Sequence, residues 1–271
     1  MPAKRSLGQN FLNGSHYPKR IVASLAPRAG ETIIEIGPGQ GALTELLLES
    51  GAQVCAIELD RELIRPLTER FAHHANFHLI AADALEVNLG EIIAPAATAR
   101  VVANLPYNVA TPILQRLIAQ RGCLTELTLM FQREVGERIA ARPGGKEYGY
   151  LSVLCQFYCQ PEKLFDVPPG AFRPVPKVVS SVLRLRVREQ PQVVVGDERF
   201  FLAIVSALFT QRRKTILNNL KAIRAARQWK DDAQIVDALM TAGIDPHRRA
   251  ETLTVPEIAC LSEALYLATE K

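Results

Sequence analysis

Residues 104–107 read Asn-Leu-Pro-Tyr, directly after the apolar run Arg-Val-Val-Ala, and their types suit the handling of an aromatic amine. Such an amine is a poor nucleophile, because its lone pair is delocalised into the ring. The side-chain oxygen of Asn104 and the backbone carbonyl of Leu105 can each accept one amine hydrogen, which draws the nitrogen toward tetrahedral geometry and frees the lone pair. Pro106 fixes its own φ and so holds that carbonyl in one direction. Tyr107 adds a π-face on which a flipped or single-stranded base stacks, a contact worth about 1–3 kcal/mol. Displacement then rests on orientation rather than on a strong base. No cysteine lies nearby, which argues against cysteine-dependent methylation of carbon.

The partner of that amine is suggested upstream. Glu-Ile-Gly-Pro-Gly-Gln-Gly-Ala-Leu-Thr (35–44) places Gly37, Gly39 and Gly41 where glycines let a backbone approach a ligand and turn into a helix. Glu58 follows about twenty residues on, where a carboxylate accepts from both hydroxyls of a ribose. Asp83, in Ala-Ala-Asp-Ala-Leu, suits an adenine amine, since the amine offers protons and a carboxylate only accepts them. Together they describe an adenosine nucleotide or nucleoside. Two points favour S-adenosyl-L-methionine over a dinucleotide. The turn lacks G-x-G-x-x-G spacing, and Glu35 has no pyrophosphate to serve but can face a sulfonium or amino group.

These residues need a sheet edge to bring them together. Apolar runs at 32–37, 53–58, 77–83, 100–105 and 126–132 read as strands, with helical patterns at 41–50, after Asp60 and at 111–120. Such alternation predicts an α/β fold with a parallel sheet covered on both faces, and ligands at the carboxyl ends of its strands. Ser180–Val187 alternates apolar with basic residues and reads as an antiparallel edge strand with one wet face. Around 188–200 polar residues, Pro and Gly break the pattern, and helical segments follow. The expected division is a catalytic domain over 1–188 and a small all-helical domain over 189–271.

With 271 residues, 48% hydrophobic and 22% charged, the chain has ample material for such a core. No apolar run reaches bilayer-spanning length, the N-terminus lacks the apolar segment of a secretory signal, and a cytoplasmic location is the default expectation. The five cysteines are scattered as free thiols would be. Cys155 and Cys159 stand one helical turn apart, with no further pair to complete a metal site, so no metal is expected. The net charge of +4 conceals three stretches that carry no acid: 1–30 (with Lys4 and Arg5), 167–188, and 211–230, which holds seven Lys/Arg. That distribution predicts a surface facing a polyanion. On a continuous helix through 214–229, Ile216, Leu217, Leu220 and Ile223 form an apolar stripe. Lys214 and Lys221 lie opposite it, as candidates for phosphate contact. Arg213, Arg224 and Arg227 fall near the stripe, so either part of the charge is structural or the helix breaks.

The whole chain resembles the ribosomal RNA small-subunit adenine dimethyltransferases. The resemblance is carried by Lys-Arg-Ser-Leu-Gly-Gln-Asn-Phe-Leu (4–12), the glycine turn, Glu58, Asp83, Asn-Leu-Pro-Tyr-Asn (104–108), Phe-Arg-Pro-Val-Pro-Lys-Val-Val-Ser-Ser-Val-Leu-Arg-Leu (172–185), Gln-Arg-Arg-Lys-Thr-Ile-Leu-Asn-Asn-Leu (211–220) and Asp-Pro-His-Arg-Arg-Ala-Glu-Thr-Leu-Thr (245–254). It implies a Rossmann-like, class I S-adenosyl-L-methionine-dependent methyltransferase fold. Asn10, Leu12, Gly37, Gly39, Glu58, Asp83 and Asn104 would contact the methyl donor. Asn104, Leu105, Pro106 and Tyr107 would be catalytic, with Phe172 stacking on the opposite face of the target base from Tyr107. The helical domain, with Lys214, Lys221 and Arg248, would bind RNA. The implied reaction is N6,N6-dimethylation of two adjacent adenosines in the 3′-terminal hairpin of small-subunit rRNA, within the assembling subunit, by a monomer with no membrane partner. The alternatives are an adenine methyltransferase acting on large-subunit rRNA, a non-catalytic assembly or transcription factor of the same fold, and a glutamine or DNA amino-methyltransferase. Leu105, where DNA-type enzymes carry a second proline, disfavours the last.

Overall fold

The computed structural model describes residues 8–269. Lys4, Arg5 and the first part of the 4–12 motif lie outside them. The chain runs β1 (Phe11–Leu12), α1 (His16–Leu25), β2 (Thr32–Ile36), α2 (Ala42–Glu49), β3 (Gln53–Glu58), α3 (Arg61–Arg70), β4 (Phe77–Ala81), α4 (Leu89–Ile92), β5 (Ala99–Asn104), α5 (Ala110–Ala119) and β6 (Leu124–Gln132). There follow α6 (Arg133–Ala140), α7 (Tyr150–Tyr158), β7 (Cys159–Val167), β8 (Phe172–Arg173), β9 (Ser180–Val187), α8 (Glu198–Leu208), α9 (Ile216–Ile223), α10 (Asp232–Thr241) and α11 (Val255–Thr269).

Seven strands form one sheet in the order β4-β3-β2-β5-β6-β9-β7. The members from β4 to β6 are parallel, and β9 is antiparallel to β6. Consecutive residues of the central strands, Ile33 and Ile34, Val101 and Val102, are fully buried, because helices cover both faces of the sheet. Strand order reverses between β2 and β5, which opens a crevice beyond their carboxyl ends. The glycine turn, Glu58, Asp83 and Asn104 all fall at that edge. A second, two-stranded sheet pairs β1 with β8, Leu12 opposite Phe172.

Two expectations change. Ser180–Val187 is antiparallel to β6, but it has no wet face, since its first four residues are buried and only Arg186 is exposed, and it is not an edge strand: β7 lies outside it. Pro161 in β7 cannot donate to a ladder, which suits that outermost place. Cys159 opens β7 instead of sharing a helical turn with Cys155, which ends near the end of α7.

The chain forms two compact units, one of residues up to Gly136 with Gln160–Val187, the other of Glu137–Cys159 with the residues from Arg188 onward. Glu137–Cys159 therefore packs with the C-terminal helices. Phe157 stacks on Phe201 of α8 with ring centroids 4.4 Å apart, and Val153, Leu154 and Cys155 are buried beside it. Within that unit, side chains of Asp197, Thr215 and Asp231 cap α8, α9 and α10, supplying acceptors for otherwise unpaired N–H groups. The helix expected to continue past Ile223 breaks there: residues 224–228 turn, and Gln228 takes a φ of 58°. Among the described residues no helix is long and apolar enough to cross a membrane.

Candidate active site

A cavity of about 1160 Å³, open mouth included, lies over the carboxyl edge of β2, β3, β4 and β5. Asn10, Leu12, Gly37, Gly39, Glu58, Asp83, Asn104, Leu105 and Pro106 all line it, so the structure brings nine sequence-predicted site residues to one space.

Two glycines in the turn have separate tasks. Gly37 sits at φ +67°, its N–H bonded to the Ile57 carbonyl at 2.9 Å, and a Cβ there would meet no protein atom within 4 Å. Its open side faces the cavity, a cradle that a side chain would fill. Gly39, at φ +59°, instead makes room for Phe11, whose ring would lie 2.9 Å from an added Cβ.

Glu58 closes β3 and is 6% exposed. One carboxylate oxygen accepts from the Gly39 N–H at 3.2 Å and the other from the Asp60 N–H at 2.8 Å. Burial pushes its pKa upward, those amide bonds oppose the rise, and the Asp60 charge adds to it. A carboxylate fixed in this way has lone pairs left for ligand hydroxyls. Asp83 spends Oδ1 on the Leu85 N–H at 2.9 Å, an Asx turn that holds the side chain and leaves Oδ2 for an amine.

Glu35 is 1% exposed on the cavity wall, accepting from the Thr44 hydroxyl at 2.7 Å. Burial raises its pKa to about 7; the Thr44 bond lowers it and the Glu58 charge raises it further. Because this folded value exceeds the unfolded one of 4.5, the contribution to stability is full at low pH and declines as pH rises toward 7. A cation bound beside Glu35 favours the ionised form, so cation binding releases a proton near neutrality. Affinity for a sulfonium ligand is therefore expected to rise about tenfold from pH 6 to pH 8. Glu35→Gln should flatten that slope in calorimetric titrations; a slope that persists in the variant removes Glu35 as its cause.

Asn104 ends β5, and its Nδ2 donates to the Asn10 carbonyl at 2.8 Å. Oδ1 is thereby left for the cavity. Tyr107 is half-buried, its hydroxyl 2.7 Å from that of fully buried Ser180, which tethers the far end of the ring to the first residue of β9. Burial raises the Tyr107 pKa, so the hydroxyl is neutral at physiological pH.

In the strap of residues 8–12, Asn10 and Leu12 were expected from the resemblance, and Gly8, Gln9 and Phe11 were not. Gly8, Gln9 and Phe11 line the cavity beside Asn10 and Leu12. Gln9 donates to Asp60 Oδ2 at 2.8 Å, and the Asn13 N–H donates to the Ala171 carbonyl at 2.7 Å. These partners lie far away in the chain, and no local pattern announces them.

Other expected residues are placed differently. Phe172 is 0% exposed, packed in the core with Phe11, Leu12, Val167, Ala171 and Val182, and offers no face to a ligand in this arrangement. Lys221 pairs with Asp232 at 2.9 Å, and Arg224 with the same carboxylate at 2.8 Å. Arg248 is held by Glu257 at 2.6 Å and by the Thr252 carbonyl at 2.7 Å. Arg184 and Arg186, from the second basic stretch, pair with Glu126 of β6 and Glu162 of β7. Acids supplied by neighbouring strands and helices thus absorb much of the charge that stands alone in sequence. Lys214 and Arg213 are exposed, and Arg212 bonds the Lys146 carbonyl, which joins two basic loops.

The family pattern described as ribosomal RNA adenine dimethylase matches residues 2–259. A curated protein of Moorella thermoacetica, named ribosomal RNA small subunit methyltransferase A, is 45% identical over 270 residues, covering 97% of this chain and 92% of its own. Another of that name, from Geobacter sulfurreducens, is 46% identical over 268 residues, covering 98% and 96%. Among solved structures, the 23S rRNA methyltransferase ErmE superposes with a TM-score of 0.72 at 25% identity, over 95% of this chain and all of that one.

Proposed function

Since the chain belongs to the ribosomal RNA adenine dimethylase family, we propose that it dimethylates the exocyclic amines of two adjacent adenosines in the 3′-terminal hairpin of small-subunit rRNA, using S-adenosyl-L-methionine. The observation that carries this reading is Asn104 at the cavity edge: its amide nitrogen is committed to the Asn10 carbonyl, and its oxygen is left to accept from an amine. When bound, the donor supplies an electrophilic methyl group on a sulfonium. The cradle at Gly37 and the fixed carboxylates of Glu58 and Asp83 suit its adenosine part, and Glu35 its positive charge. Asn104 Oδ1 and the Leu105 carbonyl accept the two amine hydrogens and aim the lone pair. Tyr107, tethered through Ser180, supports the base. With the donor bound, the chemistry supplied would be transfer of its methyl to the nitrogen so aimed, the carbon–sulfur bond breaking and the surplus amine proton leaving to solvent.

Similarity above 40% to proteins named for the small subunit, against 25% to ErmE, favours the small-subunit target over the large. We further propose that the chain works as a cytoplasmic monomer on assembling subunits. Transfer of labelled methyl from donor to unmethylated small subunits tests the substrate, with large subunits and DNA as controls. Label confined to the controls overturns it.

For RNA contact the expected set of Lys214, Lys221 and Arg248 is revised to an exposed surface built from Lys146, Arg213 and Lys214 in the helical unit. Lys214→Ala is expected to weaken rRNA binding and to reduce the slope of log affinity against log salt by about one. Lys221→Ala, whose side chain is engaged with Asp232, should leave that slope nearly unchanged. Filter-binding titrations across salt concentrations read both. A larger change for Lys221 would restore it to the interface.

A further inference from the structure

The strap of residues 8–12 lies over the donor cavity, yet its most consequential bond goes to the catalytic asparagine. A backbone carbonyl can only accept, so the Asn10 carbonyl obliges Asn104 to turn Nδ2 toward it, at 2.8 Å. The amide is planar, and the oxygen then points away from the strap. Without that bond the side chain can rotate by half a turn at little steric cost, because its oxygen and nitrogen have nearly the same size. The flipped amide would present N–H donors to an amine that also offers N–H, and the lone pair would stay in the ring.

We propose that the Asn10 backbone carbonyl is a positioning group for the reaction, and that the seated strap selects the orientation in which Asn104 accepts from the target amine. The proposal rests on the reading that Asn104 grips that amine. The strap is seated by four contacts. Gln9 Nε2 bonds Asp60 Oδ2 at 2.8 Å, and Asp60 is itself buried as the cap of α3. Phe11 lies against Gly39, and β1 pairs with β8. Gly8, at φ +65°, passes so close to the catalytic loop that an added Cβ would stand 2.5 Å from Asn108 Oδ1. Gly39 and Asn108 line the donor cavity, and Asp60 directly follows Glu58 and Leu59, which line it too. Completing that cavity and orienting Asn104 are therefore one structural event, and nucleophile activation depends on it.

The test uses Gln9→Glu, which sets a second carboxylate against Asp60, and Gly8→Ala, which strains a strap backbone held at φ +65°. The first readout needs no donor: the side-chain amide protons of Asn104 in ¹⁵N-labelled protein, identified by their absence from Asn104→Ala. The second is the single-turnover rate on unmethylated small subunits at saturating S-adenosylmethionine, with melting curves to verify folding. In the wild type one amide proton is expected to exchange slowly. In both variants its exchange should accelerate, and the saturated rate should fall about tenfold. Unaltered exchange in both variants overturns the proposal, as does a wild-type rate once donor saturates, since the strap would then serve donor binding alone. A wild-type rate in Asn104→Ala would instead sink the underlying assignment of Asn104.

Discussion

Asn104→Ala is expected to lower the methyl-transfer rate by about 10²–10³-fold, the scale of losing one polar group aimed at the reacting atoms. The Leu105 carbonyl remains as the second acceptor, held by Pro106, so one of the two amine hydrogens would still be engaged. A single acceptor leaves the nitrogen free to rotate back into conjugation with the ring, and the barrier rises accordingly. Donor affinity should change far less. The variant loses the bond to the Asn10 carbonyl, a neutral contact worth about 0.5–1.5 kcal/mol, and so at most about tenfold in binding. Glu58, with its two backbone donors, and Asp83, with its Asx turn, are untouched. Rapid-quench transfer and calorimetric donor binding, measured on the same preparation, separate the two effects. Equal losses in both would mean that Asn104 is a donor ligand and not the group that grips the amine.

What could be read from sequence follows from how local each signal is. The central strands are continuous apolar runs, and the polar residues at or just past their ends mark the sheet edge, so Glu58, Asp83 and Asn104 could be assigned to one crevice before any coordinates. Asn10 and Leu12 entered only through the resemblance, and the anchoring of their strap could not be read: its bonds join Gln9 to a residue 51 positions away and Asn10 to one 94 away. Charge misled for the same reason. Arg184 and Arg186 stand in a stretch without acids, but sheet register brings Glu126 opposite Arg186, and Glu162 reaches both from the outer strand. Lys221 looked free until the break after Ile223 returned the chain and placed Asp232 beside it. β7 was hidden because Cys159 continues the apolar pattern of α7 without a turn residue between them.

Phe172→Ala is expected to be a stability variant before it is a substrate variant. The ring is wholly buried, with Leu12 opposite it in the β1–β8 pair and Val182 of β9 in the same core cluster. Removing an aromatic ring from such a place costs about 3–5 kcal/mol through lost burial and the cavity left behind. For a structural unit of this size that corresponds to a fall in melting temperature of roughly 10 °C. The strap should loosen as well, since Leu12 would lose its cross-strand partner, and donor affinity would decline with it. Phe172→Leu separates packing from chemistry: it restores most of the volume and all of the apolar character, but no π-face. If the ring serves the core, as its burial indicates, the leucine variant should recover both melting temperature and methylation. If instead the ring stacks on the target base, as the family resemblance implies, the leucine variant should melt like the wild type and still methylate poorly. In that case β8 and the strap covering it must move when RNA binds, and the buried state of Phe172 would be the resting one.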